Sequence, residues 1–311
     1  MKCVKKLKAL VLLFIGLVSM VANGQQDPNF NLYRYHMNVI NPAYAGAQGE
    51  TFLASSIRRQ WTNIQDAPET QIVSFGTPVA HHLGLGVSMI NESSFVEKQT
   101  FATVDASYEL PFSAGSTLYL GLKAGGNFYS VNASGLETYN INSDPSLQDI
   151  SNFSPNIGVG AYWTAEGYYL SLSVPRLLSS EKVKAEDGMA STVTDRPHLY
   201  LSGGYDIDLS GEWTLEPSTL LRYVSGAPAS LELTAMTDYK QILKFGLSYR
   251  TDKAMAGLVK LNLWNQFDLG YAYETQFGKQ VIANAGNTHE LFLRYRFNTA
   301  VVRTIADASE D

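Results

Sequence analysis

The chain has 311 residues, a formal net charge of −6, 18 tyrosines and 25 glycines, and only 17% of its residues are charged, below an average of about 25%. An acidic balance (pI near 5.4) without a basic patch interleaved with aromatics excludes a nucleic-acid-binding module. The one cysteine is Cys3. It falls in an N-terminal leader, so disulfides and cysteine-ligated metals are excluded from the chain beyond that leader.

In chain order, Lys2, Lys5, Lys6 and Lys8 precede an apolar run, Ala9 to Val21, and Ala22-Asn23-Gly24 supplies the small residues that a signal peptidase reads. This predicts a secretory signal peptide over 1–24, cleaved after Gly24. The apolar run is too short for a spanning helix, which needs roughly 20 residues. Cys3 sits in the basic part rather than at the end of the apolar run, which argues against a lipid anchor. No later run is apolar for long enough to cross a bilayer as a helix.

Residues 25–50 follow as an arm rich in turn formers and tyrosine, with neither helical nor strand periodicity. Pro42 drives Asn41 out of the αR region, and Gly46 is free to take a positive φ. From Thr51 the pattern changes to period two. Leu118, Leu120, Leu122 and Ala124 share one strand face while Tyr119, Gly121, Lys123 and Gly125 share the other, and 243–250 and 267–274 repeat the scheme. Expected strand cores are 51–59, 70–77, 83–91, 100–110, 116–127, 153–164, 167–174, 196–208, 213–224, 229–238, 240–251, 254–264, 267–275 and 288–297. This makes about fourteen strands of roughly 8–12 residues, the length that a tilted strand needs to cross a bilayer.

Alternation alone also fits a soluble sandwich with its apolar face inward. The membrane reading is favoured by polar faces dense in Gly, Ser, Tyr and isolated charges. Aromatics near strand ends (Trp61, Tyr162 with Trp163, Tyr168 with Tyr169, Trp213, Trp264) suit interfacial girdles, and the last strand ends on aromatic Phe297. The expected fold is therefore an all-β transmembrane antiparallel barrel over 51–297, with an N-terminal periplasmic or plug arm over 25–50 and an acidic periplasmic tail over 298–311. Short polar turns such as Thr251-Asp252-Lys253 and Asn265-Gln266 interleave with longer connections, the longest being 131–152 and 177–194. Both of those fall on the outer face if the N-terminus is periplasmic.

The arm also carries a resemblance. Gln26-Asp27-Pro28-Asn29-Phe30, the pair Tyr33 and Tyr35, and Asn41-Pro42-Ala43-Tyr44-Ala45-Gly46 resemble the start of the PorP/SprF family of type IX secretion system membrane proteins. Arg58-Arg59-Gln60-Trp61, Ala67-Pro68-Glu69-Thr70-Gln71 and the glycine-bearing strands at 83–86 and 120–125 are similar to later parts of that family. The resemblance implies an outer-membrane barrel of Gram-negative bacteria that supports export or surface anchoring of secreted proteins, adhesins of gliding bacteria among them. Its implied partners are the C-terminal domain of a secreted surface protein, other type IX components and outer-membrane lipid. Asp27, Pro28, Tyr33, Tyr35, Asn41, Pro42, Tyr44 and Gly46 are the candidate plug or interaction motif.

A charge on the lipid face at mid-membrane costs roughly 2–4 kcal/mol. Lys123, Arg222, Lys244, Arg250, Lys260, Arg294 and Arg296, with Glu216, Asp268 and Glu274, are therefore expected to face the lumen. They either fix the barrel by salt bridges or line a charged path for solute or polypeptide. No metal or cofactor site is expected: the five histidines show no ligand spacing, and His81-His82 flanks a turn. Ser107 and Ser248 recommend themselves as outward lipase-type nucleophiles by residue type alone, so a noncatalytic protein is expected. A different function class, a solute channel similar to the fourteen-stranded fatty-acid transporters, remains the alternative. It requires a lumen that opens.

Overall fold

The computed structural model describes residues 29–113, 115–132, 150–178, 180–181, 194–277 and 286–297. The expected signal peptide, Asp27 and Pro28, most of the 131–152 and 177–194 connections and the tail over 298–311 lie outside the described residues.

Fourteen strands form one closed antiparallel barrel. They are β1 (Thr51–Arg59), β2 (Glu69–Ala80), β3 (Leu83–Ser94), β4 (Glu97–Ser113), β5 (Ser116–Val131), β6 (Ile150–Ala165), β7 (Tyr168–Val174), β8 (His198–Tyr205), β9 (Trp213–Val224), β10 (Ser230–Tyr239), β11 (Leu243–Arg250), β12 (Ala254–Leu263), β13 (Phe267–Gln276) and β14 (Thr288–Phe297). A short run, Ile207–Ser210, extends β8 and pairs with the start of β9. Closure comes from β1 pairing with β14, from Thr51 opposite Phe297 to Arg59 opposite His289, so neither terminal strand is left as an open edge.

The two ends of the barrel differ. One carries the connections 81–82, 114–115, 166–167, 211–212, 240–242 and 264–266, all short hairpins. Lys240-Gln241 and Trp264-Asn265 both have positive φ, the geometry of a two-residue turn that matches strand twist. The other end carries 60–68, 132–149, 175–197 and 277–287, together with three shorter links. Thr251-Asp252-Lys253 lies at this long-loop end, opposite Asn265-Gln266. Turn length alone does not assign a hairpin to a side.

Period-two alternation becomes a wall with two faces. Val104, Leu122 and Leu247 on the outer face are more than half exposed, while Ser107, Lys123 and Ser248 on the inner face are buried. This is the apolar belt and polar lumen of an outer-membrane barrel. Two expected girdle residues belong elsewhere: Tyr162 and Tyr169 are 3% and 6% exposed and point inward. Each adjoins an outward aromatic, Trp163 or Tyr168, and the pleat sends neighbours to opposite faces.

The core is built around the arm: Phe30, Leu32, Tyr33, Met37, Val39, Ile40, Ala43, Tyr44 and Ala45 are all buried, packed with inward strand residues such as Phe52, Ile72, Tyr119, Tyr162, Met236, Leu258 and Phe292.

Candidate functional site: a lumen filled by the N-terminal arm

The arm winds through the lumen as four single 3-10 turns, Tyr33–Tyr35, Met37–Val39, Pro42–Tyr44 and Ala47–Gly49. Short 3-10 pieces suit a segment whose prolines and glycines deny it a longer helix. Asn41 is extended (φ −136°, ψ 110°), and its side chain accepts the Ala43 N–H at 2.9 Å, which makes it the N-cap of a turn with Pro42 at the first position. Gly46 takes φ +69°, the positive φ expected of it.

Asn41 to Gly46 lies in a groove of the inner wall made by residues without a Cβ. A Cβ on Gly121 of β5 would stand 2.5 Å from Ala43 Cα, and one on Gly160 of β6 would stand 2.9 Å from Asn41 Cγ. On β3, a Cβ at Gly84 would meet the carbonyl carbon of Ala45 at 2.9 Å. Polar side chains complete the groove. Asn41 Nδ2 donates to the Ala161 carbonyl at 2.9 Å and to Ser171 Oγ at 2.8 Å. Ser173 Oγ donates to the Ile40 carbonyl at 2.7 Å, and Ser107 Oγ donates to the Ala45 carbonyl. Above the groove, Tyr44 meets the Tyr162 ring edge-on at 5.3 Å between centroids.

The earlier part of the arm is held by charge near the long-loop end. Glu290 accepts the backbone N–H groups of Asn31 (2.9 Å) and Leu32 (3.2 Å), and Glu274 accepts Asn31 Nδ2 at 2.9 Å. Arg58 bridges Glu274 at 2.9 Å and Glu290 at 3.5 Å. Arg250 reaches Glu274 at 3.0 Å and Glu232 at 3.7 Å. These side chains are all at most 2% exposed. Charges so deeply buried are tolerable only when fully paired, and removing one partner is costly.

At the short-hairpin end the arm roofs a polar cavity of about 310 Å³ lined by Arg34, Tyr35, Glu50, Glu216, Lys244 and Arg294, among others. Asp268 is clamped by Lys260 at 2.9 Å and Arg296 at 2.7 Å. Lys244 binds Glu216 and, at 3.1 Å, Asp238. Arg34 of the arm reaches Glu216 at 3.3 Å, and Arg294 holds Glu50 at 2.7 Å. Lys260 also lies over the Tyr35 ring at 4.8 Å.

Every candidate lumen charge thus lies on the inner wall, and the structure divides them among four places. Arg250 belongs to the cluster holding Asn31 and Leu32. Lys244, Lys260, Arg294 and Arg296 line the cavity. Lys123 pairs with Asp105 at 2.7 Å and donates to the Asn38 carbonyl at 3.1 Å, and Arg222 reaches Ser230 Oγ at 3.4 Å. Of the candidate arm residues, Tyr33, Tyr35, Asn41, Pro42, Tyr44 and Gly46 all sit inside the lumen. Ser107 and Ser248 face inward, not outward.

The inner-wall partners Arg58, Asp105, Glu232 and Glu290 were not among the expected lumen charges. The parity of their strands is the signal that points to them: Arg58 shares a face with Ala54 and Ser56, and Glu290 with Phe292 and Arg294. His36 is buried edge-on against Phe30 at 5.8 Å and Phe292 at 5.3 Å, and neither ring nitrogen has a hydrogen-bond partner.

A closed barrel with an apolar outer belt and a buried polar lumen is an outer-membrane β-barrel, here one whose lumen is occupied by its own N-terminal arm. The chain belongs to the PorP/SprF family of type IX secretion system membrane proteins, whose family model matches residues 22–295. No curated protein matches it. Among solved structures it is similar to the CymD monoaromatic hydrocarbon channel (10% identity, 86% of this chain and 92% of that one, TM-score 0.48). It is also similar to a Pseudomonas aeruginosa FadL homologue (11%, 89% and 96%, TM-score 0.47) and to the Acinetobacter baumannii outer membrane protein Omp33 (8%, 80% and 100%, TM-score 0.46).

Proposed function

We propose that this protein is a noncatalytic, plugged barrel of the type IX secretion machinery that supports export or surface anchoring of secreted proteins through their C-terminal domain. Family membership supports association with other secretion components. The observation that carries the reading further is the filled lumen. A diffusion channel needs a continuous path, and here the arm is bound along the wall by the Gly84–Gly121–Gly160 groove and by Glu274 and Glu290. The solute-channel alternative is correspondingly less well supported.

In this reading the short hairpins face the periplasm and the long connections face outward, as in other outer-membrane barrels. The long connections then receive a cargo domain, and the polar cavity at the short-hairpin end is open to periplasmic parts of the machine. The test is a tagged pull-down from detergent-solubilised outer membrane, with co-purifying proteins identified by mass spectrometry. Recovery of a large surface protein that is lost when its C-terminal domain is removed is the expected result. A barrel that comes down alone and conducts ions steadily in a planar bilayer would replace this reading with the channel.

A further inference from the structure

We propose that the polar cavity at the short-hairpin mouth is a docking site for an acidic peptide segment of another protein of the secretion machinery. Arg34 and Arg294 are its two anchors. In the unbound protein Glu50 and Asp206 take the place of the partner's carboxylates on them. The kind of partner rests on the functional reading above, whereas the site and its ligand chemistry rest on the cavity alone. On the orientation proposed above, this mouth faces the periplasm.

The lining carries five cations, Arg34, Lys244, Lys260, Arg294 and Arg296, and four carboxylates. The carboxylates are of two kinds. Asp268 and Glu216 are buried, at 1% and 7% exposure, and each serves two cations. Glu50 and Asp206 are 41% and 45% exposed, and among the described residues each serves one arginine. Both lie outside the strands: Glu50 joins the last turn of the arm to β1, and Asp206 separates β8 from the Ile207–Ser210 run. An ion pair with one member in water is worth little, so these two carboxylates are displaceable. The buried ones are not, because their removal strands cations away from water.

With Glu50 and Asp206 turned out to solvent, the five cations face only Glu216, Asp268 and, beside Lys244, Asp238. Lys244 and Lys260 are direct register partners, a pairing of like charges that favours anions nearby. Arg294 is only 6% exposed, yet its Nε has no hydrogen-bond partner. Its Nη1 reaches the Tyr35 carbonyl at 3.4 Å, and Arg34, the next residue in the chain, holds Asp206 at the same distance. Each arginine meets its exposed carboxylate through one nitrogen, whereas a guanidinium binds a carboxylate best through two parallel bonds.

The other side of the cavity, on the arm, β6 and β7, is formed by Tyr44, Tyr162, Tyr168 and Tyr169. An acidic peptide matches both walls, with carboxylates for the arginines and a carbon and amide surface for the tyrosines. At about 310 Å³ the cavity is at the lower end of ligand sites, which run about 300–1,000 Å³. It admits side chains, not a folded element. Since Arg34 belongs to the arm, the partner's carboxylate touches the plug itself.

The test is isothermal titration of the full-length protein in detergent with hexaglutamate, with hexalysine and glutarate as comparison ligands. Folding of every variant is checked by heat-dependent gel mobility. Hexaglutamate should bind although the chain carries a net charge of −6, hexalysine should not, and glutarate should bind more weakly. The deciding result is the opposite sign of substitutions within one ion pair. Glu50→Gln removes a competing carboxylate and should tighten hexaglutamate binding up to about fivefold, as should Asp206→Asn. Arg294→Gln or Arg34→Gln removes an anchor and should weaken it about tenfold or more. A pair that only braces the barrel predicts a loss whichever member is removed.

No saturable binding of hexaglutamate, equal binding of hexalysine, or unchanged or weaker binding by Glu50→Gln and Asp206→Asn overturns the proposal. Glutarate binding as tightly as hexaglutamate also overturns it, and makes the cavity a site for a small dicarboxylate. If hexaglutamate behaves as expected but the pull-down recovers no secretion component, the site stands and the functional reading falls.

Discussion

Replacing Gly121 with valine tests whether the arm is seated by the glycine groove. The β-carbon alone would lie 2.5 Å from Ala43 Cα, against a relaxed carbon–carbon separation of about 3.5–4.0 Å. The wall strand is fixed by ladders to β4 and β6, so the arm must withdraw by about 1 Å, and valine adds two further methyl groups. Overpacking of this kind costs roughly 1–3 kcal/mol. Withdrawal also stretches the Asn41 bonds to Ala161 and Ser171, at about 1 kcal/mol each.

A loss near 3 kcal/mol raises the unseated fraction of the arm about a hundredfold. Ser56→Cys is a suitable reporter, since its hydroxyl is buried in the lumen without a hydrogen-bond partner. The maleimide labelling rate of Ser56→Cys in detergent should rise about a hundredfold when Gly121→Val is added, because labelling follows the open population. Folding of both proteins is checked by heat-dependent gel mobility. Gly257→Val, where an added Cβ meets nothing within 4 Å, should leave the rate unchanged. Equal rates with and without Gly121→Val in folded barrels would refute the idea that these glycines seat the arm.

Arg58→Met should destabilise the barrel by about 3–5 kcal/mol, because Glu274 and Glu290 lose a buried cation. The thermal midpoint in detergent should fall, and adding Glu290→Gln should recover part of it. Asn41→Ala removes an N-cap worth about 0.5–2 kcal/mol and should speed labelling of Ser56→Cys about tenfold. Deleting residues 27–46 should abolish secretion or barrel assembly, and a deletion strain that exports its cargo normally would count against the arm having either role.

The strands and the direction of their faces were legible in the sequence because lipid and lumen impose period two on every crossing. Where a strand carries aromatics on adjacent positions, as at Tyr162-Trp163 and Tyr168-Tyr169, residue type alone put both in a girdle. The register then sends one of each pair inward to the arm. The arm was legible as a turn-rich segment through Asn41-Pro42 and Gly46. Its receptor was not, because Gly84, Gly121 and Gly160 read as ordinary strand glycines until the register of β3 to β6 sets them in one row with Ser107.

The sequence by itself determined a fourteen-strand alternation, a segment of Asn, Pro, Tyr and Gly unable to join it, and a set of charges too costly to face lipid. Each follows from local chemistry: side-chain periodicity, the fixed φ of proline, and the solvation cost of an ion. Only the tertiary structure decided which charges meet, since Arg58 and Glu274 are 216 positions apart in the chain and become neighbours when β1 closes on β14. The same closure decided that the arm fills the lumen and that Asn31 lies at the end opposite Thr51. Both depend on the stagger of strands around a closed ring, which no local stretch of sequence encodes.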